Sequence, residues 1–107
     1  MPFFDMFRKK SNDINQIAEE IKNDPAAKLI DVREPDEYRS GHIPGSVNIP
    51  LSGLADYCRT AQDKSAPIYT YCLTGMRSGR ACAMLRSFGF EIVTNAGGIQ
   101  SYTGKKE

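Results

Sequence analysis

The segment IYTYCLTGMRS at residues 68–78 is the most informative part of this 107-residue chain for predicting its fold. Its first half, Ile68–Cys72, is an apolar run that predicts a strand ending on the cysteine. A loop containing Gly75 follows, and the sequence then predicts a helix that begins near Arg77. This order places Cys72 at the carboxyl end of a strand, where open α/β sheets bind their ligands.

The predicted loop suits Cys72 to nucleophilic chemistry. Backbone N–H groups at a helix N-terminus point at a bound anion, so strand, loop and helix together would form an anion cradle around the sulfur. The same donors favour a thiolate over a thiol, and Arg77 adds a positive charge. A thiolate attacks sulfur compounds, and the cradle would also hold the negative terminal sulfur of a persulfide. A lone cysteine after an apolar strand is often only a small buried hydrophobe, but Gly75 and Arg77 favour the reactive interpretation.

Apolar runs and helical stripes alternate along the rest of the chain. Besides Ile68–Cys72, strands are predicted at residues 28–33, 46–49 and 91–94. Helices are predicted from a cap at residues 11–13 to before Pro25, at residues 36–40, along the stripe of residues 54–61, and from Arg77 to Phe88 before Gly89. Parallel strands need crossover connections, so this alternation indicates a mostly parallel sheet with helices on both faces.

The length and composition predict one compact domain with room for one site. The chain is 40% hydrophobic and 25% charged, which is typical of a globular protein. We find no internal repeat, linker or second domain. The expected organisation is an N-terminal extension at residues 1–10, a domain at residues 11–103 and a C-terminal tail at residues 104–107.

The net charge and the number of cysteines argue against several kinds of binding partner. Fourteen basic residues face 13 acidic ones, so the net charge of +1 gives no broad field for steering nucleic acid or an anionic membrane. The apolar N-terminus is interrupted by Asp5 and followed by basic residues, the reverse of a secretory signal. No apolar stretch approaches about 20 residues, so we expect a cytoplasmic protein without membrane contact. Three cysteines without paired spacing predict neither a disulfide nor a metal site, and no cofactor is expected.

Four separated motifs resemble the rhodanese family, in that family's order and spacing. They are LIDVREPDEY at residues 29–38, GHIPGSVNIP at 41–50, YCLTGMRS at 71–78 and NAGGI at 95–99. The likeness covers roughly residues 14–102 and includes the single-domain sulfurtransferases. It implies an α/β fold with a central, mainly parallel five-stranded sheet covered by helices on both faces.

The resemblance also implies an activity and a set of site residues. Cys72 looks like the nucleophile that accepts sulfane sulfur from thiosulfate or a protein persulfide and passes it to cyanide, a thiol or a sulfur-accepting protein. Arg77 would help to bind an anionic donor, and Asp31 and Arg33 look like a charged pair that supports the site. The persulfide cradle would be formed by the backbone of Leu73, Thr74, Gly75, Met76, Arg77 and Ser78.

Two other functions remain open at this point. A rhodanese-like module can serve protein binding without turnover, although such relatives often lack the cysteine that this chain retains. Related phosphatases and arsenate reductases use a loop one residue longer than the six residues from Cys72 to Arg77, because phosphate and arsenate need a larger cradle. The remaining candidates are interpreted as structural: His42 in its Gly/Pro-rich loop, and Cys58 and Cys82 on apolar helix faces.

Overall fold

The computed structural model of the protein describes residues 13–107, in which parallel strands alternate with helices. The strands are β1 (Lys28–Asp31), β2 (Val47–Asn48), β3 (Ile68–Cys72) and β4 (Val93–Gly98). The α-helices are α1 (Ile14–Glu20), α2 (Pro35–Ser40), α3 (Leu54–Thr60) and α4 (Met76–Ser87). Short 3-10 helices cover Ile21–Asn23, Leu51–Gly53 and Ile99–Ser101. The N-terminal extension predicted at residues 1–10 lies outside the described residues.

The sheet is parallel throughout, with strand order β2-β1-β3-β4. This confirms the α/β class and the parallel pairing. The described residues form four strands rather than the five that the resemblance implied. The four apolar runs found along the sequence correspond to these four strands. Parallel strands end at one edge of the sheet, so Asp31 of β1, Cys72 of β3 and Gly98 of β4 lie along the same edge.

Helices cover both faces of the sheet, as predicted. Alternate residues of each strand point to opposite faces, so Leu29 packs on one side and Ile30 on the other. On the first face α1 packs Ile14 and Ile17 against β1, β3 and β4. The second face is covered by α3 and α4, and its cluster includes Leu54, Cys58, Ala81, Leu85 and Cys72 itself.

The fourth strand was predicted too early in the chain. It runs over Val93–Gly98 rather than residues 91–94. Its second half contains Asn95 and two glycines, which are poor strand formers, so the local sequence does not indicate a strand there. Pairing with β3 extends it through Gly98, across an irregularity opposite Thr70 and Tyr71.

The only histidine has a structural environment, as predicted. The His42 ring stacks on Tyr38 with ring centroids 3.8 Å apart, and its Nδ1 lies 3.0 Å from the Tyr38 carbonyl oxygen. Its backbone pairs with Glu107 through two hydrogen bonds of 3.1 and 2.9 Å. His42 therefore joins the second motif to α2 and to the C-terminal tail. Within residues 13–107 no helix is both long and apolar enough to cross a membrane.

Candidate active site

Backbone donors from two residues of the predicted cradle, Gly75 and Ser78, lie within hydrogen-bond distance of the Cys72 sulfur. Its Sγ accepts hydrogen bonds from the backbone N–H of Gly75 at 3.0 Å and of Ser78 at 3.4 Å. Gly75 has a φ of 108°, a left-handed conformation that side chains rarely adopt, and it directly precedes α4. The strand thus delivers the sulfur, and the glycine turn brings the first donors of α4 onto it.

These donors lower the pKa of the Cys72 thiol. Burial alone would raise the pKa, because a buried thiolate loses its hydration. Hydrogen bonds from Ser78, through its side chain and its backbone, and from the backbone of Gly75 and Thr74 outweigh that effect. The cradle therefore favours the thiolate, the form that acts as a nucleophile.

Asn95 holds the loop in shape, although it was not among the predicted site residues. Its Oδ1 accepts from the Ser78 hydroxyl at 2.7 Å and from the Gly97 backbone at 2.9 Å. Its Nδ2 donates to the Gly75 carbonyl at 3.1 Å. The same Ser78 hydroxyl lies 3.5 Å from the Cys72 Sγ. Asn95 belongs to the NAGGI motif, and that motif is the sequence feature from which a role in the site could have been inferred. Only the fold brings Asn95 to the loop.

Because Gly98 has no side chain, the backbone of the loop can occupy the space beside it. A Cβ atom at this position would lie 2.3 Å from the Leu73 carbonyl oxygen and 2.6 Å from the Thr74 Cα. The loop backbone therefore rests directly on β4 where a side chain would stand. A hydrogen bond of 3.3 Å from the Gln100 backbone to the Leu73 carbonyl holds it there.

Arg77 is paired with Glu37 of α2. Its two terminal nitrogens donate to the two carboxylate oxygens at 2.7 and 3.0 Å, and each side chain is 32% exposed. Hydrogen bonding from Arg77 lowers the pKa of Glu37 to about 2. Arg77 was predicted to help to bind an anionic donor, and its pairing with Glu37 was not predicted. Glu37 lies in the LIDVREPDEY motif, but nothing local connects it to a residue 40 positions away.

Asp31 and Arg33 form the predicted charged pair, and both are buried. The Arg33 guanidinium binds the Asp31 carboxylate at 2.7 Å and donates to the Gly41 carbonyl at 2.8 Å. It also lies 5.7 Å from the centre of the Tyr71 ring, the residue that precedes Cys72. The pair therefore joins β1, the second motif and β3 behind the loop.

The outer side of the loop is apolar and exposed, whereas the sulfur is buried. Met76 is 72% and Leu73 is 39% exposed, while Cys72 is only 1% exposed. Thr74 is exposed as well. Leu73, Thr74 and Met76 therefore present their side chains to solvent on the outer side of the loop.

Cys58 and Cys82 are buried packing residues. Cys58 is fully buried among α3, α4 and the sheet, and Cys82 lies 3.1 Å from the Thr70 hydroxyl. Burial raises the pKa of both thiols, which makes them poor nucleophiles. Among residues 13–107 no group of three acidic, histidine or cysteine side chains is arranged to hold a metal ion.

Comparison with known proteins identifies the family. The rhodanese-like domain family matches residues 14–105. The uncharacterized protein YqhL of Bacillus subtilis (strain 168) is 46% identical over 80 residues, which span 74% of this chain and 63% of YqhL. The thiosulfate sulfurtransferase PspE of Escherichia coli (strain K12) is 40% identical over 72 residues, which span 66% of this chain and 69% of PspE.

A solved structure shows the same fold. The crystal structure of the Alr3790 protein from Anabaena sp. has a TM-score of 0.80 at 31% identity, over 89% of this chain and 80% of that chain. The match thus covers less than two thirds of YqhL, and it covers most of the chain in the Alr3790 structure. Because the family match extends over nearly the whole chain, the protein belongs to the rhodanese-like domain family.

Proposed function

We propose that the protein is a sulfurtransferase that carries sulfane sulfur as a persulfide on Cys72. One observation carries the proposal: the Cys72 sulfur accepts hydrogen bonds from Gly75 and Ser78 at the start of α4. Donors in that position stabilise negative charge on the sulfur before transfer and on the terminal sulfur after it. The name of PspE, a thiosulfate sulfurtransferase, supports the same reaction class.

The first step loads the enzyme. The Cys72 thiolate attacks the outer sulfur of thiosulfate, an S–S bond forms, and sulfite leaves with the electron pair of the broken bond. A persulfide donor reacts in the same way and leaves as a thiolate. No proton has to move if Cys72 is already ionised, so the step needs no general base and His42 needs no catalytic role.

The second step unloads the enzyme. A nucleophile such as cyanide or a thiolate attacks the terminal sulfur, and the Cys72 thiolate is the leaving group. The hydrogen bonds that lower the pKa of Cys72 also make it a better leaving group. A cytoplasmic location, predicted from the sequence, fits this cycle because a reducing compartment keeps the thiol free.

The test follows sulfur on the protein. Reduced protein is incubated with thiosulfate, its intact mass is measured, and cyanide is then added and thiocyanate assayed. We expect a mass increase of one sulfur atom that disappears with cyanide. A phosphate ester assayed in parallel should not be hydrolysed, because the six-residue loop is shorter than that of the related phosphatases.

The matched variant is Cys72→Ser. It should fold normally, because serine is nearly isosteric, but it should gain no sulfur and form no thiocyanate, since a hydroxyl is far less acidic than a thiol. Sulfur on the variant would remove Cys72 from this role. No loading of the wild-type protein from thiosulfate or from a persulfide would favour the protein-binding alternative.

A further inference from the structure

The positive charge of Arg77, beside the cradle, is compensated by the carboxylate of Glu37. Arg77 is the loop's basic residue, and its guanidinium is bound end-on by both carboxylate oxygens of Glu37. Such a bidentate pair is among the stronger hydrogen-bonded ion pairs of proteins. An anion that enters the cradle therefore meets Arg77 together with a fixed negative charge.

Glu37 is held by its own helix and not only by Arg77. Its Oε1 also accepts from the backbone N–H of Glu34 at 2.9 Å, which completes a capping box at the start of α2. Arg33 lies close enough to stabilise the Glu37 charge as well. The carboxylate is thus fixed at the rim of the loop, and its lowered pKa keeps it ionised at every physiological pH.

The two kinds of sulfur donor respond differently to this carboxylate. Thiosulfate is a small dianion whose whole charge enters the cradle, so Glu37 repels it more strongly than it repels a persulfide. A persulfide brings a single charge to the reacting sulfur, and the stem of cysteine persulfide behind it has no net charge because its ammonium and carboxylate groups cancel. That stem would pass the exposed apolar side chains of Leu73 and Met76.

We infer that Glu37 sets the donor selectivity of the site: by compensating Arg77, it weakens binding of small dianions and favours the persulfide of a thiol. The inference rests on the proposed sulfur transfer at Cys72. The favoured reaction is attack of the Cys72 thiolate on the outer sulfur of the donor persulfide. The donor S–S bond breaks, a new S–S bond forms on Cys72, and the donor leaves as a thiolate with the electron pair.

The test removes the charge and retains the shape. Glu37→Gln keeps an oxygen that can accept from the Glu34 backbone, so α2 retains its cap. Asp36→Asn is the matched control, because it removes the same charge one residue away, where Asp36 is 89% exposed and pairs with Arg39. The rate of Cys72 persulfide formation is measured by intact mass against the concentration of thiosulfate and, separately, of cysteine persulfide.

We expect Glu37→Gln to lower the half-saturating thiosulfate concentration about fivefold or more, with a change of less than about twofold in the maximal rate. Inhibition by sulfate should strengthen by a similar factor. Asp36→Asn should leave both values unchanged, and cysteine persulfide should respond less than thiosulfate. The wild-type protein should load more efficiently from cysteine persulfide than from thiosulfate.

A persulfide-loaded cysteine desulfurase serves as a second persulfide donor. Faster loading from it than from cysteine persulfide would identify a protein as the source, and the reverse would identify a small thiol. An unchanged or raised half-saturating thiosulfate concentration in Glu37→Gln would overturn the inference, because Glu37 would then only position Arg77 for the anion. Wild-type protein that takes sulfur from none of the three donors would overturn the proposed function itself.

Discussion

At the residue scale, the three thiols of the protein differ in pKa because of the groups around them and not because of their exposure. Cys72, Cys58 and Cys82 are 1%, 0% and 2% exposed. Burial raises the pKa of the last two, whereas the donors of the cradle bring the pKa of Cys72 below its usual value. The thiolate form of Cys72 is therefore favoured by the backbone donors and the Ser78 hydroxyl around the sulfur.

This contrast predicts the pH dependence of alkylation. The thiolate fraction falls as the pH falls through the thiol pKa, so Cys72 should react with iodoacetamide at a lower pH than Cys58 and Cys82. The two buried thiols serve as internal controls, and modification is followed at each cysteine by peptide mass mapping. Ser78→Ala should move the Cys72 profile to higher pH, because it removes the hydroxyl near Sγ. Equal modification of all three thiols at every pH would contradict the prediction.

At the scale of elements, the site is a contact between the β3–α4 loop and the end of β4. The loop residues Leu73 and Thr74 pack on the bare backbone of Gly98, and Asn95 ties the loop to the same strand. Gly98 has a φ of −119°, which any residue adopts, so the requirement for glycine is one of space and not of backbone conformation. The position of β4 therefore sets the position of the cradle.

Gly98→Ala should displace the loop, because the new Cβ would overlap the Leu73 carbonyl oxygen. We expect a loss of about 1–3 kcal/mol in the free energy of unfolding, typical of overpacking, and a fall of at least about tenfold in the rate of sulfur transfer. Gly53→Ala is the matched control, since nothing lies within 4 Å of a Cβ there and its φ is −102°. Urea denaturation and the thiocyanate assay report the two effects. A Gly98→Ala protein with wild-type stability and activity would contradict the assigned contact.

At the scale of the whole molecule, a buried ion pair joins distant motifs behind the site. Asp31 and Arg33 are 0% and 4% exposed, and the guanidinium reaches Gly41 as well as the Tyr71 ring. The Asn48 side chain donates to the carbonyls of both charged residues and so adds β2 to the group. The pair connects the first two motifs to the strand that bears Cys72.

Asp31→Asn should therefore destabilise the whole domain. Removing one partner leaves the Arg33 charge buried without compensation, which costs about 3–5 kcal/mol in typical buried pairs. Asp56→Asn is the control, because Asp56 pairs with Arg59 on the surface and both side chains are mostly exposed, so little change is expected. The midpoint of urea denaturation compares the two variants. Similar midpoints for both variants would show that the stability of the domain depends no more on the buried Asp31–Arg33 pair than on the exposed Asp56–Arg59 pair.

The features that depend on neighbouring residues along the chain could be predicted from the amino-acid sequence alone. The parallel α/β class, three of the four strand positions and the strand–loop–helix unit around Cys72 follow from hydrophobic periodicity and from Gly75. The charged Asp31–Arg33 pair was also predictable, because its members are two residues apart and belong to a motif that the family resemblance supplied.

The distant residues that complete the site are brought together by tertiary contacts and could not be predicted. Asn95 lies 17 residues from Ser78 and Glu37 lies 40 residues from Arg77, so no local pattern connects them. The second half of β4 was missed for the same reason, since it is defined by pairing with β3 and not by the strand preference of Asn95 or of the two glycines. Parallel register brings the ends of these strands to one edge, and that edge is where Cys72 meets the residues that shape its loop and set the charge beside it.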